Sequence, residues 1–340
     1  MGISKNNRRR FGVASALVSL GILAAACGSS TSASTTTSSA STTAATTLKP
    51  ATVNVGVLPI ADVAPLYLGI KEGFFAKEKL TVVPHALQGG AAVASAVVGG
   101  SLQFGYGATA NLILANAHGI PLKFVAAGDF AASSASQAWS GILVSANSGI
   151  TSISGLAGKT IASNALQGEN ELALDSVLLK NGVNPSSVHV VVLSFPTMPA
   201  ALSAGQVQAV TEVEPFVAAI AAHGGKLLSP LFEGEQPGML VSGYFTNSSE
   251  LASNPGIVKR FVAAINESLN YAAANPAAAR AVIPTYSSIP VSVANSMKLP
   301  VWNAKIGSNT VQGQEQLMKQ LGWISANVPV SQLIWSGANK

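Results

Sequence analysis

The sequence has a single cysteine among 340 residues, at position 27. One thiol excludes an intrachain disulfide and any cysteine-built zinc or iron site. Histidine is nearly as scarce: His85, His118, His189 and His223 are scattered, with no pair at helical spacing, so no metal and no cofactor is expected. A Gly-x-Ser-x-Gly elbow is missing, which removes sequence support for a hydrolase triad. Charged residues make up only 10% of the chain. Of its 19 basic residues, Lys5, Arg8, Arg9 and Arg10 precede Cys27, and the remainder is almost balanced by 14 acidic ones. Nothing in that balance points to nucleic acid or to an anionic membrane surface as partner. Long apolar runs are also lacking: beyond Phe11–Ala26, none approaches the ~20 residues that span a bilayer.

What is present begins with an export signal, residues 1–26. A basic start leads into the Phe11–Ala26 run, and small residues precede Cys27. Leu23-Ala-Ala-Ala-Cys27-Gly28 resembles a bacterial lipoprotein signal, although Ala24 stands where that motif prefers leucine. Arg8-Arg9-Arg10-Phe11 weakly resembles a twin-arginine signal, so the export route stays open. Cys27 is therefore expected to carry a lipid anchor. Residues 27–50 read as a flexible tether, because Ser, Thr, Ala and Gly bury too little apolar surface to offset the entropy of ordering.

From Ala51 the chain alternates between strand and helix signals. Strands are predicted at Val53–Leu58, Leu80–Val83, Leu102–Phe104 and Leu122–Ala126, then at Lys159–Ala162, Val188–Leu193 and Ala209–Val213. Helical segments separate them, with Asp62 and Thr109 as expected N-caps and Gly73 as a left-handed helix end. Such alternation argues for βαβ units and mainly parallel sheets. The end of the chain is predicted helical around Ile257–Ala274, Val291–Leu299 and Val311–Leu321.

Two nucleotide motifs fail on inspection. Gly155-Leu-Ala-Gly158-Lys-Thr160 has Ile153 where a phosphate loop needs its first glycine, and its Lys-Thr pair enters a strand. Gly105-Tyr-Gly107-Ala-Thr-Ala110 with Asp129 fits a dinucleotide fingerprint, but after too short a strand and in an exported chain. An internal echo carries more weight: Gly100–Thr109 can be laid on Gly205–Glu214, each following a small-residue helix and leading into another. Two lobes of one plan would present strand ends to a shared crevice, where open α/β sheets bind ligands.

Ala61-Asp-Val-Ala-Pro-Leu-Tyr-Leu-Gly-Ile-Lys-Glu-Gly-Phe-Phe-Ala-Lys-Glu78, Gly89-Gly90, Gly99-Gly-Ser-Leu-Gln-Phe-Gly-Tyr-Gly107, Gly119-Ile-Pro-Leu-Lys123, Leu156-Ala-Gly-Lys-Thr-Ile161, Ala201-Leu-Ser-Ala-Gly-Gln-Val-Gln-Ala209 and Glu214-Pro215 occur in a family's order. Together they make Ala51–Trp335 resemble the extracytoplasmic substrate-binding proteins of ABC importers, in the group serving nitrate, aliphatic sulfonates, taurine and thiamine-precursor pyrimidines. Gln103 and Gln208 stand where the family usually has Asp, and Val213 where an aromatic often precedes Glu-Pro.

The resemblance implies an α/β, type II periplasmic-binding fold: lobe one over 51–145, lobe two over 146–242, and a return to lobe one over 243–340. It implies a monomer that closes on a small solute outside the cell and delivers it to permease and ATPase subunits. The alternatives are an enzyme on the same fold acting on a pyrimidine precursor, for which the cysteine-rich iron site is missing, and a tethered solute sensor. Cleft candidates are Asp62, Ala64, Tyr67, Gly89, Gly90, Thr109, Asn111, Asn164, Gln167, Gly168, Thr197, Glu212 and Glu214. Helix N-termini among them suit an anion, whereas Asp62, Glu212 and Glu214 suit amine or ring N–H donors. With no Lys or Arg in these loops, a small strongly anionic solute is disfavoured.

Overall fold

A computed structural model describes residues 48–307 and 311–339. The export signal, Cys27 and the tether up to Thr47 lie outside the described residues. Among the described residues, eleven strands form two sheets: β1 (Ala51–Val57), β2 (Leu80–Ala86), β3 (Phe104–Ala108), β4 (Leu122–Phe130), β5 (Ser140–Val144), β6 (Thr160–Ser163), β7 (His189–Val192), β8 (Ala209–Val213), β9 (Lys226–Pro230), β10 (Leu240–Asn247) and β11 (Val301–Trp302). The first sheet has the order β11-β4-β10-β3-β1-β2 and the second β7-β6-β8-β5-β9. In the first, β1 to β4 run one way and β10 and β11 the other. In the second, only β5 opposes the rest. Helices cover both sheets, giving a two-lobed α/β architecture.

The crossings between lobes lie earlier than the sequence suggests. Ser140–Val144, read as the end of lobe one, pairs with β8 and β9 in the second sheet, so the first crossing falls between Phe130 and Ser140. Leu240–Asn247 pairs with β3 and β4 in the first sheet, so the second falls between Pro230 and Leu240. β3 is also displaced, from Leu102–Phe104 to Phe104–Ala108. Gly105 and Gly107 weaken its sequence signal, but a Cβ at Gly105 would lie 2.6 Å from the Phe245 ring, so the glycines are what let β10 pack there.

The helix Pro255–Ala274 shows how packing selects local structure. Val258, Phe261, Val262, Ile265, Leu269 and Ala272 recur at helical spacing and are all buried. Phe261 stacks on Phe104 with ring centroids 3.9 Å apart, tying this helix to the first sheet. The C-terminal helix Gln312–Gln320, expected on lobe one alone, packs on helices of both lobes. A small second core forms there from Ala110, Ile113, Leu172, Val311 and Met318. Among the described residues, no helix is long and apolar enough to cross a membrane.

Candidate functional site

The carboxyl ends of β1, β3, β6 and β8 meet at a cavity of ≈ 30 Å³ between the sheets. Lobe one contributes Asp62, Gly90, Tyr106 and Asn111 to its lining, with Ser242 of β10; lobe two contributes Asn164, Glu169, Asn170, Phe195 and Val213. No Lys, Arg or His lines it. The lobes also bond directly across the cleft. Ala61 N–H donates to Glu214 O at 2.9 Å, and Ala110 N–H donates to Glu169 Oε2 at 2.8 Å. Glu169 Oε1 accepts from Gln314 Nε2 at 2.5 Å.

The site is rich in buried acids. Asp62, Asp129, Glu169, Glu212 and Glu214 are each at most 3% exposed. Tyr106 O–H donates to Asp129 Oδ1 at 2.5 Å, and Asp129 stands near enough to Asp62 for its charge to bear on that carboxyl. Burial, then the charge of Asp129, pushes the Asp62 carboxyl well above its ordinary value. Burial raises Asp129 to about 6, and raises Glu214 to about 7. Glu214 is partly answered: Oε2 accepts from Ala218 N–H and Oε1 from Lys298 N–H. Burial likewise pushes Glu212 and Glu169 up. Asp62 Oδ2, Asp129 Oδ2 and Glu212 Oε1 receive no donor from the described residues.

Other hollows are larger but poorer in chemistry. A crevice of ≈ 330 Å³ behind the helix Glu169–Lys180 holds one buried carboxyl, Glu235, which burial raises to about 8 against the opposing charge of Lys180. Among the described residues, no cluster of His, Cys, Asp and Glu is arranged to hold a metal ion.

Residues 60–279 match the family described as NMT1/THI5 like. The chain belongs to this family. No curated protein gives a significant match. Solved structures similar to this NMT1/THI5-like chain include the alkanesulfonate-binding protein SsuA from Xanthomonas axonopodis pv. citri, bound to MOPS. It shares 20% identity at a TM-score of 0.72, over 84% of this chain and 99% of that one. The periplasmic nitrate-binding protein NrtA from Synechocystis PCC 6803 shares 14% identity at 0.70, over 85% and 87%. The desulfurization enzyme DSZB shares 14% identity at 0.63, over 85% and 97%. At such identities the likeness establishes the fold, the periplasmic-binding fold expected from the sequence.

Within this NMT1/THI5-like fold, the sequence candidates separate. Asp62, Gly90, Asn111 and Asn164 line the cavity. Gly89 and Gly168 are close behind: a Cβ on Gly89 would sit 3.9 Å from Asn164 O, and one on Gly168 3.7 Å from Asn111 Nδ2. Glu212 and Glu214 lie buried beside it at the end of β8. Ala64 is core, and Tyr67 stacks on Tyr286 at 4.0 Å instead of facing the cavity. Gln167 and Thr197 are exposed outside it. Neither Asp62 nor Thr109 caps a helix: Asp62 lies within the short turn Ala61–Val63, and Thr109 Oγ1 donates to Leu240 O at 2.9 Å. The helix N-terminus at Ala110, expected to be free for an anion, is already occupied by Glu169.

Sequence reasoning gave no cleft role to Asp129, Asn170, Tyr106, Phe195, Phe232 and Ser242, and it reads Glu169 as a solvated charge, whereas the side chain is buried at the cavity. Asp129 is visible only as the lone acid of an apolar strand, Leu122–Phe130. Phe195 and Phe232 supply the aromatic lining that Val213 lacks, from the short helices Phe195–Thr197 and Phe232–Glu235, which span too few residues for a periodic pattern to expose them.

Proposed function

We propose that this NMT1/THI5-like protein is the extracytoplasmic solute-binding component of an ABC importer, tethered through a lipid on Cys27. We further propose that its cleft selects solutes presenting N–H donors over sulfonates or nitrate. One observation carries the reading of the cleft: buried carboxyl groups with unpartnered oxygens meet at a cavity without a basic side chain. A sulfonate there would face like charge in a low dielectric, which costs several kcal/mol unless paired. Amines, amidines or amino-substituted rings would instead donate to Asp62, with Asn111 and Asn164 supplying amide groups and Phe195 and Phe232 apolar walls. The ≈ 30 Å³ cavity is far below the roughly 300 Å³ of ordinary small-molecule sites. Capture therefore requires the lobes to part by hinge motion and close again over the solute. Delivery of the closed form to a permease and its ATPase follows from that cycle, and it needs only a monomer.

Thermal shift against a solute panel tests the reading. A ligand at a hundred times its dissociation constant adds about 2.7 kcal/mol of stability. Stabilisation by amine or aminopyrimidine probes is the expected result. Stabilisation by taurine or nitrate alone would overturn the choice of solute class, and turnover of a bound probe would replace capture by catalysis.

A further inference from the structure

Asp62 and Asp129 are both buried, Oδ2 of each is reached by no donor among the described residues, and no salt bridge there answers either carboxyl, so a proton on the pair is what spares it two bare charges in a low dielectric. Asp62 lines the cavity, and Asp129 stands behind it on β4. The groups packed around the pair do not supply a counter-charge. Tyr106 of β3 bonds to Asp129, and Ser242 of β10 is its neighbour in the sheet register. Glu214, at the end of β8, presses like charge on Asp62, and Asp129 presses like charge on Glu169. Tyr67, Tyr244 and Tyr286 complete the shell and are themselves held neutral by burial. Among the described residues, no Lys, Arg or His lines the cavity or forms a salt bridge with either carboxyl. The proton is thus the pair's neutralising charge, on a pair whose Asp62 faces the cavity.

We propose that the cleft takes its solute as a cation and expels the Asp62–Asp129 proton, exchanging one for the other. The proposal rests on the N–H-selective reading of the cleft. In the exchange a protonated amine, amidine or guanidine donates an N–H to Asp62. The O–H bond on the pair breaks, its proton leaves to solvent, and the pair becomes doubly ionised against the incoming charge. Net charge in the cavity does not change, which avoids the cost of baring two carboxylates in a low-dielectric site. Burial and the charge of Asp129 favour the protonated state of Asp62 before the solute arrives.

Isothermal titration calorimetry with methylguanidine and benzamidine, both protonated at neutral pH, tests this on the whole protein, with taurine and nitrate as comparators. In phosphate and in Tris, buffers of different ionisation enthalpy, the cationic probes are expected to release about one proton per site. Their affinity is expected to rise about tenfold per pH unit while the pair still holds its proton. In Asp129→Asn the amide can donate to Asp62, so release is expected to fall close to zero while the probe still binds. If that variant does not fold, the protonated-carboxyl infrared band of the unaltered protein provides the same test, and should lose the absorbance of about one carboxyl group on adding the probe. Cation binding without proton release, or with that band unchanged, overturns the exchange and leaves the N–H-selective cleft standing. Failure of both cations to bind, with or without binding of taurine or nitrate, overturns both.

Discussion

At the residue scale, Gln103 and Gln208 do the same work in the two lobes. Gln103 Oε1 accepts from Asn54 N–H of β1 at 2.9 Å, and Gln208 Oε1 accepts from Thr160 N–H of β6 at 3.1 Å. Each fastens the start of a central strand to its parallel neighbour, so the glutamines that replace the family's usual Asp are structural. Gln103→Ala leaves the Asn54 N–H half-buried and unpaired, with an expected loss of about 1–3 kcal/mol. Chemical denaturation measures it, and a change below about 0.5 kcal/mol would remove the assigned role. Asp62 is the contrasting case, the acid proposed to meet the solute. Asp62→Asn is expected to weaken a cationic probe about 10- to 100-fold, the worth of one charge-assisted hydrogen bond. It should not lower thermal stability at neutral pH, because the amide donates to Asp129 without borrowing a proton. Unchanged probe affinity would remove Asp62 from the site.

At the scale of elements, the internal echo is the part of the fold most readable in the sequence. Gly100 and Gly205 are both left-handed, β3 and β8 follow, and the next helices end at His118-Gly119 and His223-Gly224, all at one constant spacing. In both, the histidine ring bonds back to a carbonyl one turn earlier, Leu114 O and Ala219 O, each at 2.8 Å. Local turn and cap chemistry repeated twice is legible because it depends on neighbours in sequence. β5 was not legible: Ser-Gly-Ile-Leu-Val is buried on both faces, shows no alternation, and is a strand only because β8 and β9 flank it. The site divides similarly. Asp62 stands out beside a proline turn, whereas Asp129 and Glu169 join it only through long-range packing. One element contact makes its own prediction. A Cβ on Gly69 would lie 1.9 Å from Ser268 Oγ and 2.8 Å from the Phe75 ring, where helix Ala64–Lys71 crosses Pro255–Ala274. Gly69→Ala is expected to cost about 1–3 kcal/mol by overpacking, with partial recovery on adding Ser268→Gly. An unperturbed melting temperature in the single variant would show that the two helices separate without loss.

At the scale of the whole molecule, Glu169 draws one acid from lobe two onto a helix N-terminus of lobe one, and Gln314 of the C-terminal helix holds it there. Glu169→Ala removes that clasp, and an increase in radius of gyration by small-angle scattering is the expected sign of parted lobes. An unchanged radius would place closure in the apolar contacts alone. The buried acids also set how stability follows pH. Their folded values are raised to about 6 for Asp129, about 7 for Glu214 and about 8 for Glu235, with Asp62, Glu169 and Glu212 raised as well. The unfolded chain releases the same protons near 3.8 for Asp and 4.5 for Glu. Between those limits the folded state holds more protons than the unfolded one, so stability is full below the unfolded values and is lost as pH rises through the folded ones. Each fully buried group can contribute a slope of up to about 1.4 kcal/mol per pH unit. The melting temperature is therefore expected to fall steadily from about pH 5 to about pH 8, opposite to proteins whose carboxylates are salt-bridged. A melting temperature that climbed over that range would mean the cleft acids are ionised and paired. A bound cation that has displaced the Asp62–Asp129 proton no longer leaves that proton to be lost, so saturation with methylguanidine should flatten the upper part of the same curve.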